Sequence, residues 1–486
     1  MSTDILKLDP KRLWQHFYSL TQIPRPSKHE SAVIDFVRQF GVDLGLDTTV
    51  DAVGNVVIKK PATPGYEDRM TVCFQSHLDM VPQKNSHVDF DFEKDPIDAV
   101  IQDDWVTARD TTLGADNGIG VAAAMAVLES KDLEHGPLEA LFTIDEETGM
   151  TGAFGLKDDL LQADILMNLD SEDEGELYVG CAGGENTNIT LTYTDEPVPA
   201  GSTAFKISVT GMKGGHSGLD ICLGRGNAIK VLNRFLYEAA ASLDLRMAAI
   251  DGGSLRNAIP REAFVWITVP EAKVAAFETA LHDYACTAKS ELKVTEPTMD
   301  TTATPVELPS TLIDAETQYN LIRAVYGCPN GVIRWSDSVA NLVETSTNLA
   351  IIKSDSGQIK IAALQRSSVN SARVDLCQQI RSIFELIDAT VVHDGAYPGW
   401  NPNMDSPILK SMQQVYQDLF GKIPETKAVH AGLECGLIGA IYPKMDMISF
   451  GPTMKFPHSP DEKVDIATVQ KFWDFLVATL KAIPTK

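Results

Sequence analysis

Two side chains able to do acid–base or metal chemistry, His77 and Asp79, stand two residues apart at the end of the apolar run "MTVCF". On an extended chain such residues point to the same side, so the imidazole and the carboxylate can meet. The pair reads either as a surface hydrogen bond or as a histidine oriented to hold a metal ion. The same residue types recur where other apolar runs stop. "LEALFTI" runs into Asp145, Glu146 and Glu147, and "ADILMNL" runs into Asp170. Asp116 precedes a helical stretch, and His458 follows the run at 444–451. Taken singly, each has a plain structural reading. Asp116 can cap its helix, Glu146 and Glu147 can be solvated acids in a turn, Asp170 can belong to the acidic loop "DSEDEGE", and His458 can bond locally. Together they bring carboxylates and histidines to the loop edges of one sheet. Crowded carboxylates repel unless a cation or a shared proton compensates. Histidine and carboxylate donors without thiolates suit zinc, manganese or cobalt in a hydrolytic site.

The elements that must position these residues can be read from periodicity. Segments 71–76, 138–144 and 163–169 read as short buried strands, and 117–130 and 29–45 as helices. Strands separated by helices predict a mostly parallel α/β sheet, whose carboxyl edge is the place for a ligand. The pattern returns at 444–451, a strand. After it a helix is expected to open with Ser459 as N-cap and Pro460 at its first position. The middle of the chain differs. Strand-like segments at 203–211 and 255–270 alternate with helices at 226–241 and 271–292, and a fainter echo follows at 346–368 and 373–386. This predicts an inserted α+β domain of two related strand–helix units over 186–395, joined by the Thr- and Pro-rich link 296–309. The outer domain is then discontinuous, 1–185 and 396–486.

Composition sets the frame. The 486 residues carry a net charge of -26 and are 44% hydrophobic, with a mean hydropathy of -0.07 and a pI of about 4.7. This is globular composition, and the negative charge argues against nucleic acid or anionic membrane as partner. Seven single cysteines without a Cys-x-x-Cys motif argue against a disulfide framework and a thiolate zinc site. The start "MSTDILKLDPKRLWQHF" lacks the apolar core of a signal peptide, and the longest apolar stretch, 118–128, is too short to span a bilayer. The expected compartment is the cytoplasm.

The ordered motifs "HLDMVPQKN", "TTLGADNGIG", "EETGMTGAFGL", "NLDSEDEGE", "GMKGGHSG", "LRNAIPREAF", "HAGLECGL" and "FPHSPDE" resemble, over essentially the full length, the dinuclear zinc metallopeptidases. These include glutamate carboxypeptidase, tripeptidase T and the carnosinase-like aminoacyl-histidine dipeptidases, and the last group is the nearest. The resemblance implies a catalytic domain with two divalent ions per chain, zinc first, with cobalt or manganese as substitutes. It implies His77 and Asp170 on one ion, Glu147 and His458 on the other, and Asp116 bridging. Asp79 would fix the tautomer of His77, and Glu146 would be the general base acting on a water that the ions activate. The inserted domain resembles the family's lid and dimerisation domain. There His216 matches an oxyanion-stabilising histidine and Asn257 an asparagine near the substrate.

One departure stands out. Simpler members carry an arginine on the strand after the Asn257 motif, where this chain has "WITVP". Arg366 in "AALQRSS" is the replacement proposed for gripping a substrate carboxylate; the plain alternative is a surface arginine at a strand end. Glu434, four residues after His430 in "HAGLECG", shares a face with it if that segment is helical. It is then a candidate for the substrate ammonium, or a solvated helix residue. The function implied is a metal-dependent dipeptidase acting on small unblocked dipeptides, Xaa-His among them, as a homodimer. Two other readings remain. A carboxypeptidase or N-acyl amino acid deacylase of the same fold tends to carry Glu at the position of Asp170. A catalytically dead scaffold predicts loss of a ligand or of Glu146, and none is lost.

Overall fold

Four apolar runs form the parallel centre of an eight-stranded sheet: Leu138–Thr143, Val72–His77, Ile165–Asn168 and Asp446–Ser449 lie side by side in that order. The computed structural model describes residues 2–486. Every residue of Val72–His77 and Leu138–Thr143 is buried. Both faces of the sheet are covered, so these strands are buried along their whole length instead of alternating between core and solvent. Antiparallel strands Val56–Lys60 and Asp47–Val50 extend one edge, and Glu176–Cys181 and Glu425–Val429 the other. The helix Ala115–Glu129 is buried all round from Ala115 to Leu128. It packs on the strand Val72–His77 and on the helix Lys11–Thr21. Its small residues permit close approach: a Cβ on Gly120 would stand 2.6 Å from the carbonyl oxygen of Leu169. All four parallel strands run toward one edge, and the segments that leave it carry His77, Glu146, Glu147, Asp170 and His458.

The expected helix start at Ser459 is wrong. Residues 459–462 form a turn, Lys463–Asp465 is a strand paired with Trp105–Thr107, and the helix runs Ile466–Ala482. Asp465 is its N-cap, accepting the N–H of Thr468 at 2.8 Å.

The chain divides into two compact units. The first comprises residues through Gly180, Pro402–Ala428 and Leu433–Lys486. The second comprises Cys181–Asn401 with Val429–Gly432, against the boundaries of 186 and 395 read from the sequence. Val429–Gly432 goes with the second unit because Ala182 donates its N–H to the carbonyls of Val429 and Ala431.

The second unit is built on a nine-stranded antiparallel sheet. Its central members are Ser202–Thr210, Ala263–Pro270, Arg246–Gly252, Val343–Asp355, Gln358–Ser367 and Gly183–Thr192. Helices Ala228–Ala239, Val274–Leu292, Ala315–Gly327 and Asn370–Glu385 contribute to its core. The link expected at 296–309 contains an edge strand, Asp300–Pro305, paired with Ser202–Thr210. Ala315–Gly327 was not anticipated, although its N-cap Asp314 accepts from Thr317 in the ordinary way. No helix among the described residues is long and apolar enough to cross a membrane.

Candidate active site

His77, the last residue of its strand, is buried and uses both ring nitrogens. Nε2 lies 3.1 Å from Asp116 Oδ1 and 3.3 Å from Asp170 Oδ1, and Nδ1 lies 3.3 Å from Asp79 Oδ1. Asp79 also accepts the backbone N–H of Glu146 at 3.1 Å and of Glu147 at 3.3 Å, and the hydroxyl of Ser27 at 2.8 Å. One carboxylate therefore orients the histidine and fixes the turn that bears the two glutamates. Burial works against the charge of Asp79, but His77 and these donors outweigh it and hold the carboxyl at about 2.

Asp116 joins the two histidines. Its Oδ1 faces His77, and its Oδ2 lies 3.2 Å from His458 Nε2. It is not the helix cap that its position suggested: its own backbone is non-helical and its carboxylate makes no cap hydrogen bond. His458 Nε2 is also 3.0 Å from Glu147 Oε2. Two groups of three donors result, His77 with Asp116 and Asp170, and Asp116 with Glu147 and His458; within each group the ligand atoms all lie within 4.8 Å of one another. His77, Glu146 and Glu147 form a third such group.

This donor set fits a pair of divalent ions. A tetrahedral ion with bonds of about 2.1 Å separates its donors by about 3.4 Å, close to the spacings above. Glu147 Oε1 is buried without a hydrogen-bond partner, as expected of an atom whose partner is a cation. The electrostatics agree. Burial, reinforced by Asp116 and Glu147 against His77, pushes Asp170 up to about 7. Asp116 and Glu147 hold His458 at about 11. Burial and the charges of Asp170, Glu434 and Glu147 raise Glu146 well above the usual carboxylate range, although His77 opposes them. Protons are thus absorbed where positive charge is short. The carboxyl of Glu146 has no hydrogen-bond or ion-pair partner among the described residues, which leaves it free to exchange a proton.

Glu434 is 1% exposed and opens the helix Glu434–Ile441. The shared helical face expected for His430 and Glu434 does not form, because His430 precedes the helix and belongs to the second unit. Glu434 Oε2 accepts from Gln75 Nε2 and Thr143 Oγ1, both at 2.6 Å, while Oε1 is buried without a partner. Burial is the first cause that pushes this carboxyl up to about 8.

In the second unit, Arg366 is 5% exposed rather than a surface residue. It donates to Ser217 Oγ at 3.3 Å and Tyr397 OH at 3.0 Å, and no carboxylate pairs with it among the described residues. A buried guanidinium served by hydroxyls alone suits an incoming anion. His216 accepts the N–H groups of Gly218 and Leu219 on Nδ1, at 3.2 and 3.0 Å. The ring proton therefore sits on Nε2, which becomes a donor. Burial and then Arg366 keep His216 below its ordinary value and hold His430 at about 3. His430 Nε2 lies 2.7 Å from Ser346 Oγ. Asn257 has an exposed side chain, and its carbonyl accepts the N–H of Ser217 at 2.8 Å. The sequence reading passed over Ser217, Tyr397 and His430 as neighbours of Arg366. "GGHSG" places Ser217 beside His216, but nothing in the sequence brings Tyr397 to that strand.

The model of the peptidase family M20/M25/M40 matches residues 73–482. Over 484 residues the chain is 46% identical to the cytosol non-specific dipeptidase of Escherichia coli strain K12, covering 100% of both proteins. The crystal structure of aminoacylhistidine dipeptidase from Vibrio alginolyticus superposes with a TM-score of 0.95 at 48% identity, covering 99% of this chain and 98% of that one. A tripeptidase from Staphylococcus aureus shares the fold, with a TM-score of 0.61 and 17% identity over 98% of this chain and 99% of that one.

Proposed function

Because the chain belongs to the peptidase family M20/M25/M40, we propose that it is a metal-dependent dipeptidase that hydrolyses the single peptide bond of small unblocked dipeptides, Xaa-His among them. The observation that carries the reading is the pair of donor triads sharing Asp116, with the partnerless carboxyl of Glu146 beside them. His77 and Asp170 would hold one ion, Glu147 and His458 the other, and Asp116 both. Bound there, the ions supply Lewis acidity to the scissile carbonyl and lower the pKa of the hydrolytic water. Zinc is the proposed metal, with cobalt and manganese as substitutes.

The chain's own residues handle the protons and the orientation. Glu146 takes a proton from the water as its oxygen bonds to the carbonyl carbon. The same carboxyl then gives the proton to the amine nitrogen as the C–N bond breaks. Asp79 keeps the proton of His77 on Nδ1, so that Nε2 stays a donor atom for metal. His216 offers its Nε2–H to the carbonyl oxygen as negative charge develops there. Asn257 is proposed beside the substrate. Arg366 receives the substrate carboxylate, and the free Oε1 of Glu434 accepts from the substrate ammonium. The name of the Escherichia coli relative supports the cytoplasm as the compartment. A homodimer joined through the second unit is the proposed assembly.

The test is a panel of carnosine, Gly-His, Leu-Gly, a tripeptide and an N-acetyl amino acid, with and without added zinc. Metal-dependent cleavage confined to the dipeptides is expected. Preferential cleavage of the N-acetyl amino acid overturns the reading in favour of a deacylase.

A further inference from the structure

Glu462 lies four residues beyond His458 and is 2% exposed. Its Oε2 accepts the backbone N–H of Leu113 at 2.7 Å and of Gly114 at 3.0 Å. Its Oε1 accepts the N–H of Ala115 at 2.7 Å and of Asp116 at 3.3 Å. Four consecutive amides thus converge on one carboxylate, an anion-binding nest whose anion is a side chain of the same protein. Gly114 makes the turn possible with a φ of 70°. The opposite side of the turn is gripped by buried Arg25, which donates to the carbonyl of Gly114 at 2.5 Å and to those of Leu78 and Asp79 at 2.9 Å.

Glu462 itself is fixed. Its N–H donates to Ser459 at 3.0 Å, Thr107 donates to its carbonyl at 2.8 Å, and the strand Lys463–Asp465 follows at once. The side chain of His458, by contrast, is 51% exposed, on a backbone with φ of 59°. Of the five proposed ligands it is the one least held by its own packing.

We propose that Glu462 is a positioning residue that ties the His458 turn to the Asp116 turn, and so pre-forms the ion site made by Glu147, His458 and Asp116. The inference rests on the dinuclear reading above. Only a carboxylate serves all four amides. A glutamine keeps one acceptor oxygen and turns an NH2 group toward the other two N–H donors.

The test is titration of metal-free protein with zinc against a chromophoric chelator. Wild type taking up two equivalents is the control; fewer would overturn the dinuclear reading itself. In Glu462→Gln the first equivalent should bind within about threefold of wild type and the second about 10- to 100-fold more weakly, the usual loss when a residue supporting a metal ligand is removed. On a Glu147→Ala background, which already lacks that site, Glu462→Gln should change zinc affinity by less than about threefold. Equal weakening of both equivalents, or no change in either, overturns the proposal, as does a lower melting temperature of the metal-free protein as the sole effect. Glu462→Asp is the second variant; failure of both to fold would make Glu462 a general folding residue and equally overturn it.

Discussion

Replacing Asp79 by asparagine perturbs the site without touching a proposed ligand. The carboxylate serves four donors: the His77 ring, the N–H groups of Glu146 and Glu147, and the Ser27 hydroxyl. Whichever way an asparagine amide turns, its NH2 faces two groups that were donors. Loss of hydrogen bonds to a charged acceptor costs roughly 1.5–3 kcal/mol. That matches the loss of about 10- to 100-fold in metal affinity seen when the partner of a ligating histidine is removed. A second magnitude comes from the carboxyl itself, held at about 2 against an ordinary 3.8. At about 1.4 kcal/mol per unit the depression is worth about 2.5 kcal/mol in metal-free protein. Because the folded value is the lower one, this stability is present above the ordinary value and is lost as pH falls through the folded value. The assay is zinc titration together with denaturant unfolding of the metal-free protein at several pH values. Asp79→Asn should bind zinc about 10- to 100-fold more weakly. Its stability deficit against wild type should shrink by about 2 kcal/mol between pH 5 and pH 2. Unchanged zinc affinity with a deficit independent of pH would refute the assignment of Asp79.

Glu146→Ala should keep both metal equivalents and lose about a hundred- to ten-thousand-fold in kcat, whereas Glu147→Ala should lose metal; the opposite pattern in metal analysis would reverse the two roles. Glu434→Gln should raise KM for unblocked dipeptides by about tenfold or more, the cost of a charged hydrogen bond, and an unchanged KM would remove it from substrate binding. Arg366→Ala should lower kcat/KM about ten- to a hundredfold for a dipeptide, with a much smaller loss for the same dipeptide amidated at its carboxylate. Equal losses on both substrates would show that it does not read that group.

The parallel strands were legible because each is a short apolar run bounded by residues that cannot be buried unpaired. The runs ending at His77, Thr143 and Asn168 announced both the sheet and its chemical edge. The start of the last helix was misread because Ser-Pro at 459–460 is a sound local cap signal. It loses to tertiary structure: Glu462 is held by the amides of 113–116, and Lys463–Asp465 pairs with Trp105–Thr107. Nothing local records a partner 346 residues away. His430 and Glu434 failed for a related reason, since four-residue spacing implies a shared face only inside a helix, and the helix begins at Glu434. Arg366 was visible as a cation on a strand, but its burial among Ser217, Tyr397 and two histidines depends on how distant strands register.

The dinuclear site, two ions held by triads that share Asp116, is what should make this chain a dipeptidase. Its most direct test is to strip the protein with chelator, restore zinc in steps, and follow both bound metal and hydrolysis of Gly-His. Activity should be absent without metal and should reach its maximum as the second equivalent per chain binds. Full activity with less than one equivalent bound, or activity that survives complete removal of metal, would show that a two-ion site does not carry the hydrolysis.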